Sequence, residues 1–195
     1  MNKAKFIVFE GIDGSGKTTL SNMVLNSLVE RNFPIVKFNE PTHFETGLEI
    51  RRFLRNEISL SREKQIELFL LDRKDSLEKN VYPNLNAGNS VILDRYFYSM
   101  AAYQSDNEIT AEEILQMNLD RNYPEPDLII YLEIQPEVSL TRMQRRNTNE
   151  HFENLDSLIR VQKTYEKIIP NTALRLDATL PQSRLKDLCI SHIIR

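Results

Sequence analysis

Apolar residues in this chain gather in short runs that do not alternate with polar ones. Phe6-Ile7-Val8-Phe9, Val91-Ile92-Leu93 and Leu128-Ile129-Ile130-Tyr131-Leu132 are of this kind. A strand covered on one face alternates, whereas a strand covered on both faces reads as an unbroken apolar run. Pro34 to Phe38 and Ala173 to Leu176 add two more runs, so five strands are expected, with the outer limits Ser90 to Leu93 and Asp127 to Glu133 for two of them. Helical periodicity fills the gaps: roughly Thr18 to Glu30, Gly47 to Leu54, Ser61 to Asn80, Thr110 to Asn122, Pro136 to Arg146, Leu155 to Ile169, and Gln182 onward. Thr110 and Glu113 have capping-box spacing, which sets one helix start. Strand and helix alternate along the whole length. The pattern predicts a three-layer α/β/α fold, a five-stranded parallel sheet with flanking helices. In such sheets ligands lie at the carboxyl ends of the strands.

Length and charge narrow the picture. At 195 residues the chain is expected to form one domain, 1–195, and to bury roughly 70% of its unfolded surface. The net charge of −3 is spread rather than blocked, which argues against a nucleic-acid partner. No apolar stretch approaches the ~18 residues that span a bilayer. The chain opens on a strand rather than a secretory leader, and a cytoplasmic protein without membrane contact is expected. Cys189 sits among Leu188, Ile190 and Ile193 and reads as core rather than nucleophile.

The candidate chemistry begins where the first strand ends. Three of the five glycines, Gly11, Gly14 and Gly16, fall in one window, Gly11-Ile12-Asp13-Gly14-Ser15-Gly16-Lys17-Thr18-Thr19. This matches G-x-x-x-x-G-K-[ST], whose backbone N–H groups cradle phosphates at a helix start. The P-loop NTPase fold follows from that match in its strand–loop–helix setting. Lys17 is expected on the β- and γ-phosphates of ATP and the Thr18 hydroxyl on Mg²⁺. Asp94 ends another apolar strand, where a carboxylate can hold the metal or its water, or orient a nucleophile. Arg95 follows, a planar donor suited to phosphate or carboxylate. Phe69 and Arg73 are four apart on a predicted helix and share a face.

The segment Asp94-Arg95-Tyr96-Phe97-Tyr98-Ser99-Met100-Ala101-Ala102-Tyr103-Gln104 resembles the D-R-Y-x-x-S-x-x-A-Y-Q motif of thymidylate kinases. The window from Phe9-Glu10 to Thr19 resembles the P-loop of the same family. Glu40-Pro41-Thr42, Phe69 with Asp72-Arg73, and Pro124-Glu125-Pro126-Asp127-Leu128 also fit, so the likeness runs over about residues 5 to 170. The resemblance implies Mg²⁺-dependent transfer of the ATP γ-phosphoryl group to dTMP. It puts Arg95 on the acceptor phosphate and Asp13 near the acceptor sugar or the metal. Glu40, Phe69, Arg73, Ser99, Tyr103 and Gln104 would line the dTMP side, with Tyr103 disfavouring a 2′-hydroxyl. A homodimer is implied as well.

Residues 12 to 15 carry no arginine, which some members of the family place in the P-loop. The catalytic charge is therefore expected from a lid over about 142–153, with Arg145 or Arg146 on the transferring phosphoryl and Arg142 packed on adenine. Asn39 and Thr42-His43-Phe44 replace the arginine and the glycine pair that many bacterial members place around Glu-Pro. Met100 stands where a small or polar residue is usual, and His151 at a lid position that is often arginine. The loop is often cis at the Glu-Pro peptide in the family. A kinase for another monophosphate or a deoxynucleoside is the alternative reading. A GTPase switch does not fit, because Asn2-Lys3 precedes the P-loop and has Lys5 where its guanine motif needs Asp.

Overall fold

A computed structural model describes residues 3–145 and 154–195. Its sheet has five parallel strands, β1 (Phe6–Glu10), β2 (Ile35–Asn39), β3 (Ser90–Asp94), β4 (Leu128–Glu133) and β5 (Leu174–Asp177). They lie in the order β2-β3-β1-β4-β5. Every residue of β1 and β3 is buried, as expected for strands covered on both faces. The strands run one residue beyond the apolar runs, so that β1 takes in Glu10 and β3 takes in Asp94. In register, Phe9 pairs with Asp94, which puts the end of β3 beside the start of the glycine loop.

The helices among the described residues are α1 (Lys17–Val29), α2 (Glu45–Leu54), α3 (Arg62–Ser76), α4 (Tyr82–Asn86), α5 (Phe97–Gln104), α6 (Ala111–Leu119), α7 (Pro136–Gln144), α8 (Leu155–Ile168) and α9 (Gln182–Ile193). α1 packs on β1, β2 and β3 and against α9, while α5 packs against both α6 and α8. One large core joins the sheet to these layers and includes Cys189. A smaller cluster of Ile66, Leu70, Met100, Ala101, Ala111 and Ile114 ties α3, α5 and α6 together under the ligand side.

The structure departs from the sequence pattern at two places. Ser61 caps α3, accepting from the Lys64 N–H, but the expected helix to Asn80 changes to a π turn over Leu77–Val81 and continues as α4. Pro83 lies just beyond that turn. It has no N–H to donate, and its ring crowds the carbonyl four residues back, so the ladder is rearranged there. The second departure is α5, which the apolar pattern did not predict. All eight of its residues are buried, so it has no polar face and no helical period to read. The Thr110–Glu113 capping box is present at α6.

Candidate active site

The glycine loop connects β1 to α1. Gly14 has φ 75° and its missing Cβ would lie 2.6 Å from the Ser139 carbonyl oxygen; Gly16 has φ 97° at the helix start. Larger residues would be strained at both positions and would clash at the first. The Ser139 hydroxyl of α7 donates to the Asp13 carbonyl and pins the loop from outside. Lys17 is buried and its Nζ donates to the carbonyls of Gly11 and Ile12, both at 2.8 Å. Burial, with Arg95 nearby, pushes the Lys17 ammonium down to about 8. Asp13, Asp94 and Glu10 offset this only in part, and a bound polyphosphate would add counter-charge.

Thr18 Oγ1 donates to Asp94 Oδ2 at 2.6 Å, joining the helix start to the end of β3. Lys37 of β2 approaches the same carboxylate oxygen at 3.8 Å and donates to Asn22 at 2.7 Å. A hydroxyl and a carboxylate are hard oxygen donors of the kind Mg²⁺ accepts. Among the described residues no cluster of three His, Cys, Asp or Glu side chains could cage a metal by itself. The donor set therefore fits an ion shared with substrate phosphates rather than an all-protein site.

Arg95 stands at φ 72° immediately before α5. Its Nη2 is ion-paired with Asp13 of the glycine loop, and its Nη1 donates to Ser99 Oγ at 3.2 Å. The Tyr103 hydroxyl donates to the Asp13 carboxylate at 2.7 Å and accepts the Asp13 N–H at 2.9 Å. Burial works against the Asp13 charge, but Arg95, Lys17 and the tyrosine hydroxyl outweigh it and hold the carboxyl below its usual value.

Further along the cleft, Arg73 is almost wholly buried. Its Nη2 donates to Glu40 Oε2 at 2.6 Å, its Nη1 to Asn118 Oδ1 at 2.7 Å, and the guanidinium lies 5.0 Å from the Tyr96 ring. Burial pushes the Glu40 carboxyl up to about 7 against the pull of Arg73. Arg73 Nε and Glu40 Oε1 are buried without a hydrogen-bond partner. The Glu40-Pro41 peptide is cis. Arg51 of α2 donates to the Pro41 carbonyl and braces this loop, and Asp72 accepts from the Thr42 N–H at 2.8 Å.

One cleft of about 490 Å³ unites these groups. It is lined by Asp13, Gly14, Gly16, Lys17, Thr18 and Thr19 at one end, by Asp94, Arg95, Ser99, Tyr103 and Gln104 along its wall, and by Glu40, Phe69, Arg73 and Met100 at the other. Gly11, Ile12 and Ser15 are buried behind the loop. Of the lid candidates, Arg142 and Arg145 are not among the lining residues. Arg142 Nη2 donates to the Ala178 carbonyl at 3.0 Å, at the turn between β5 and α9, and Arg145 is exposed at the end of α7. Arg146 and His151 lie outside the described residues.

Sequence reasoning missed four contributors. Asn118 was findable, because it is a polar residue on the apolar stripe Ala111–Ile114–Asn118. Glu10 carried a comparable signal, an acid closing an apolar strand as Asp94 does. Lys37 and Arg51 had no local signal: Lys37 meets Asp94 and Asn22 from other elements, and Arg51 donates to backbone carbonyls of the preceding loop, which no residue pattern marks.

Strand, glycine loop, helix start and a strand-end acid hydrogen-bonded to the loop threonine define a P-loop phosphotransferase. The thymidylate kinase family model matches residues 9–188. A thymidylate kinase of Leptospira interrogans is 47% identical over 189 residues, covering 96% of this chain and 93% of the relative. One of Leptospira borgpetersenii is 44% identical over 196 residues, covering 100% and 96%. A probable thymidylate kinase of the archaeon Archaeoglobus fulgidus is 37% identical over 181 residues, covering 93% and 90%. The chain belongs to the thymidylate kinase family, and it is a nucleoside monophosphate kinase.

Proposed function

We propose that this chain transfers the γ-phosphoryl group of ATP to dTMP with Mg²⁺, giving dTDP and ADP, as a single domain in the cytoplasm. The observation that carries the reading is the polarity of the cleft. A phosphate-binding loop with Lys17 forms one end, an aromatic–guanidinium pair forms the other, and Arg95 stands between them. A nucleoside monophosphate laid along it has its phosphate toward Arg95 and its base between Phe69 and Arg73.

In this reading an oxygen of the dTMP phosphate attacks the γ-phosphorus, the bond to the β–γ bridging oxygen breaks, and ADP leaves. The acceptor is already an anion, so the protein's work is alignment and charge neutralisation. Lys17 and the loop N–H groups hold the donor phosphates. Arg95 holds the acceptor phosphate, with Asp13 and Ser99 fixing the plane of its guanidinium. Thr18 and Asp94 would hold Mg²⁺, which would supply positive charge against the donor phosphates. Tyr103, fixed on Asp13, occupies the sugar side, and Gln104 lies beside it. Arg145 or Arg146 supplies further charge when the lid segment covers the cleft, with Arg142 at the adenine.

The test is a panel of dTMP, dUMP, dCMP, UMP and thymidine assayed with Mg-ATP. Preference for dTMP is expected; preference for a ribonucleotide or for the free nucleoside would overturn the reading. We also propose a homodimer, which the exposed Leu71 and Tyr82 on the α3–α4 side favour. Sedimentation at micromolar concentration should give twice the chain mass.

A further inference from the structure

Glu10 closes β1, is wholly buried, and does not line the cleft. A buried carboxylate is unfavourable unless donors surround it. Here four donors converge on its two oxygens. Oε1 accepts the backbone N–H of Tyr96 at 2.9 Å and that of Ser99 at 3.3 Å. Oε2 accepts the Tyr165 hydroxyl of α8 at 2.9 Å and the Ser99 hydroxyl.

Tyr96 is the N-cap of α5 and has no capping side chain of its own, and Ser99 is the third residue of that helix. The first turn of a helix needs acceptors for its open N–H groups, and a nearby anion suits its dipole. In α5 that acceptor comes from a neighbouring strand. Glu10 therefore does for α5 what a capping side chain does elsewhere, across 86 residues of sequence.

The residue just before this cap is Arg95, whose φ of 72° is unfavourable for a side-chain-bearing residue. Two consecutive β1 residues hold it there. The Phe9 carbonyl accepts the Arg95 N–H at 3.0 Å, and the Glu10 carboxylate accepts the following N–H. The Ser99 hydroxyl that donates to Glu10 also accepts Arg95 Nη1. Glu10 thus bears on both the backbone turn that launches Arg95 and one end of its guanidinium.

We propose that Glu10 is a positioning residue for Arg95: by capping α5 from β1, its carboxylate holds the left-handed turn that aims the guanidinium at the glycine loop. The proposal rests on the reading of Arg95 as the acceptor-phosphate group. Its test is a four-member cycle of the intact protein, Glu10→Gln, Arg95→Ala and the double variant, with dTMP and ATP kinetics, dTMP binding by calorimetry, and thermal melting. Glu10→Gln keeps the shape but gives up one acceptor oxygen. It is expected to stay folded, to lower kcat/KM for dTMP by about 10–100-fold and to leave the KM for ATP unchanged. In the Arg95→Ala background it should cost nothing further in kcat/KM or in dTMP affinity.

An equal loss in both backgrounds, or no loss from Glu10→Gln alone, overturns the proposal. Wild-type kcat/KM and dTMP affinity in Arg95→Ala would instead remove the premise, and the proposal with it; this result is read from the single variant. If Glu10→Gln does not fold, Tyr165→Phe, which deletes one of the four donors, replaces it in the cycle. A smaller loss that vanishes with Arg95→Ala is then expected, and a loss that persists, or none at all, contradicts the proposal.

Discussion

Two of the arginines that line the cleft, Arg73 and Arg95, have different surroundings, and in the proposed reading the difference separates recognition from catalysis. Arg73 has a side chain 2% exposed, locked between Glu40, Asn118 and the Tyr96 ring. Arg95 has a side chain 22% exposed, paired with Asp13, itself 26% exposed. A guanidinium held at both of its Nη atoms cannot follow a moving group. It can present a fixed edge, as base recognition requires. The half-open one can exchange part of its pairing for a phosphate, because Asp13 keeps water and Tyr103 as partners. Arg73 belongs as much to the fold as to the site, whereas Arg95 belongs mainly to the site.

Removing each arginine should break that contrast in a different observable. Arg73→Ala leaves Glu40 buried without its cation and should destabilise the fold by about 3–5 kcal/mol at pH 8, measured by urea unfolding. The pH dependence fixes the cause. A carboxyl whose pKa is raised on folding contributes stability that is present below its unfolded value and lost as pH rises through its folded one. Glu40 spans about 4.5 to 7 even with Arg73 beside it. The penalty in Arg73→Ala should therefore shrink steadily toward pH 5.

Arg95→Ala should lower kcat/KM for dTMP by about 10²–10³-fold while the melting temperature falls by only a few degrees. A large loss of stability would put Arg95 in the same class as Arg73. In the proposed reading the lid arginines add charge at the phosphate end, so replacing Arg145 and Arg146 together by alanine should lower kcat by about 10²-fold with little change in dTMP affinity. An unchanged kcat would remove the lid. Asn118→Ala withdraws one partner from Arg73 and should cost about 1–3 kcal/mol of stability. It should also narrow the preference for dTMP over dCMP, because the guanidinium edge is no longer fixed. Competition assays with the two monophosphates read that preference.

This contrast explains what the sequence could disclose. The strands β1, β3 and β4 were legible because burial on both faces leaves unbroken apolar runs, and the glycine loop because its backbone needs glycine at fixed spacing. Phe69 and Arg73 were legible as a pair because helix geometry puts them on one face. α5 was not, since a helix buried all round has no period. The locked state of Arg73 was also hidden: Glu40 and Asn118 lie 33 and 45 residues away, and only the packed fold brings them together. Arg142 shows a further gap, for its hydrogen bond to Ala178 depends on where α7 meets the end of β5.

The division of labour between the two arginines is tested most directly by calorimetric binding of dTMP and of thymidine, which lacks the phosphate, to the wild-type protein, Arg95→Ala and Arg73→Lys. Arg95→Ala should weaken dTMP at least tenfold, about 1.4 kcal/mol, and leave thymidine unchanged. Arg73→Lys should weaken both by the same factor. Equal weakening of both ligands by Arg95→Ala, or weakening of dTMP alone by Arg73→Lys, would contradict the account.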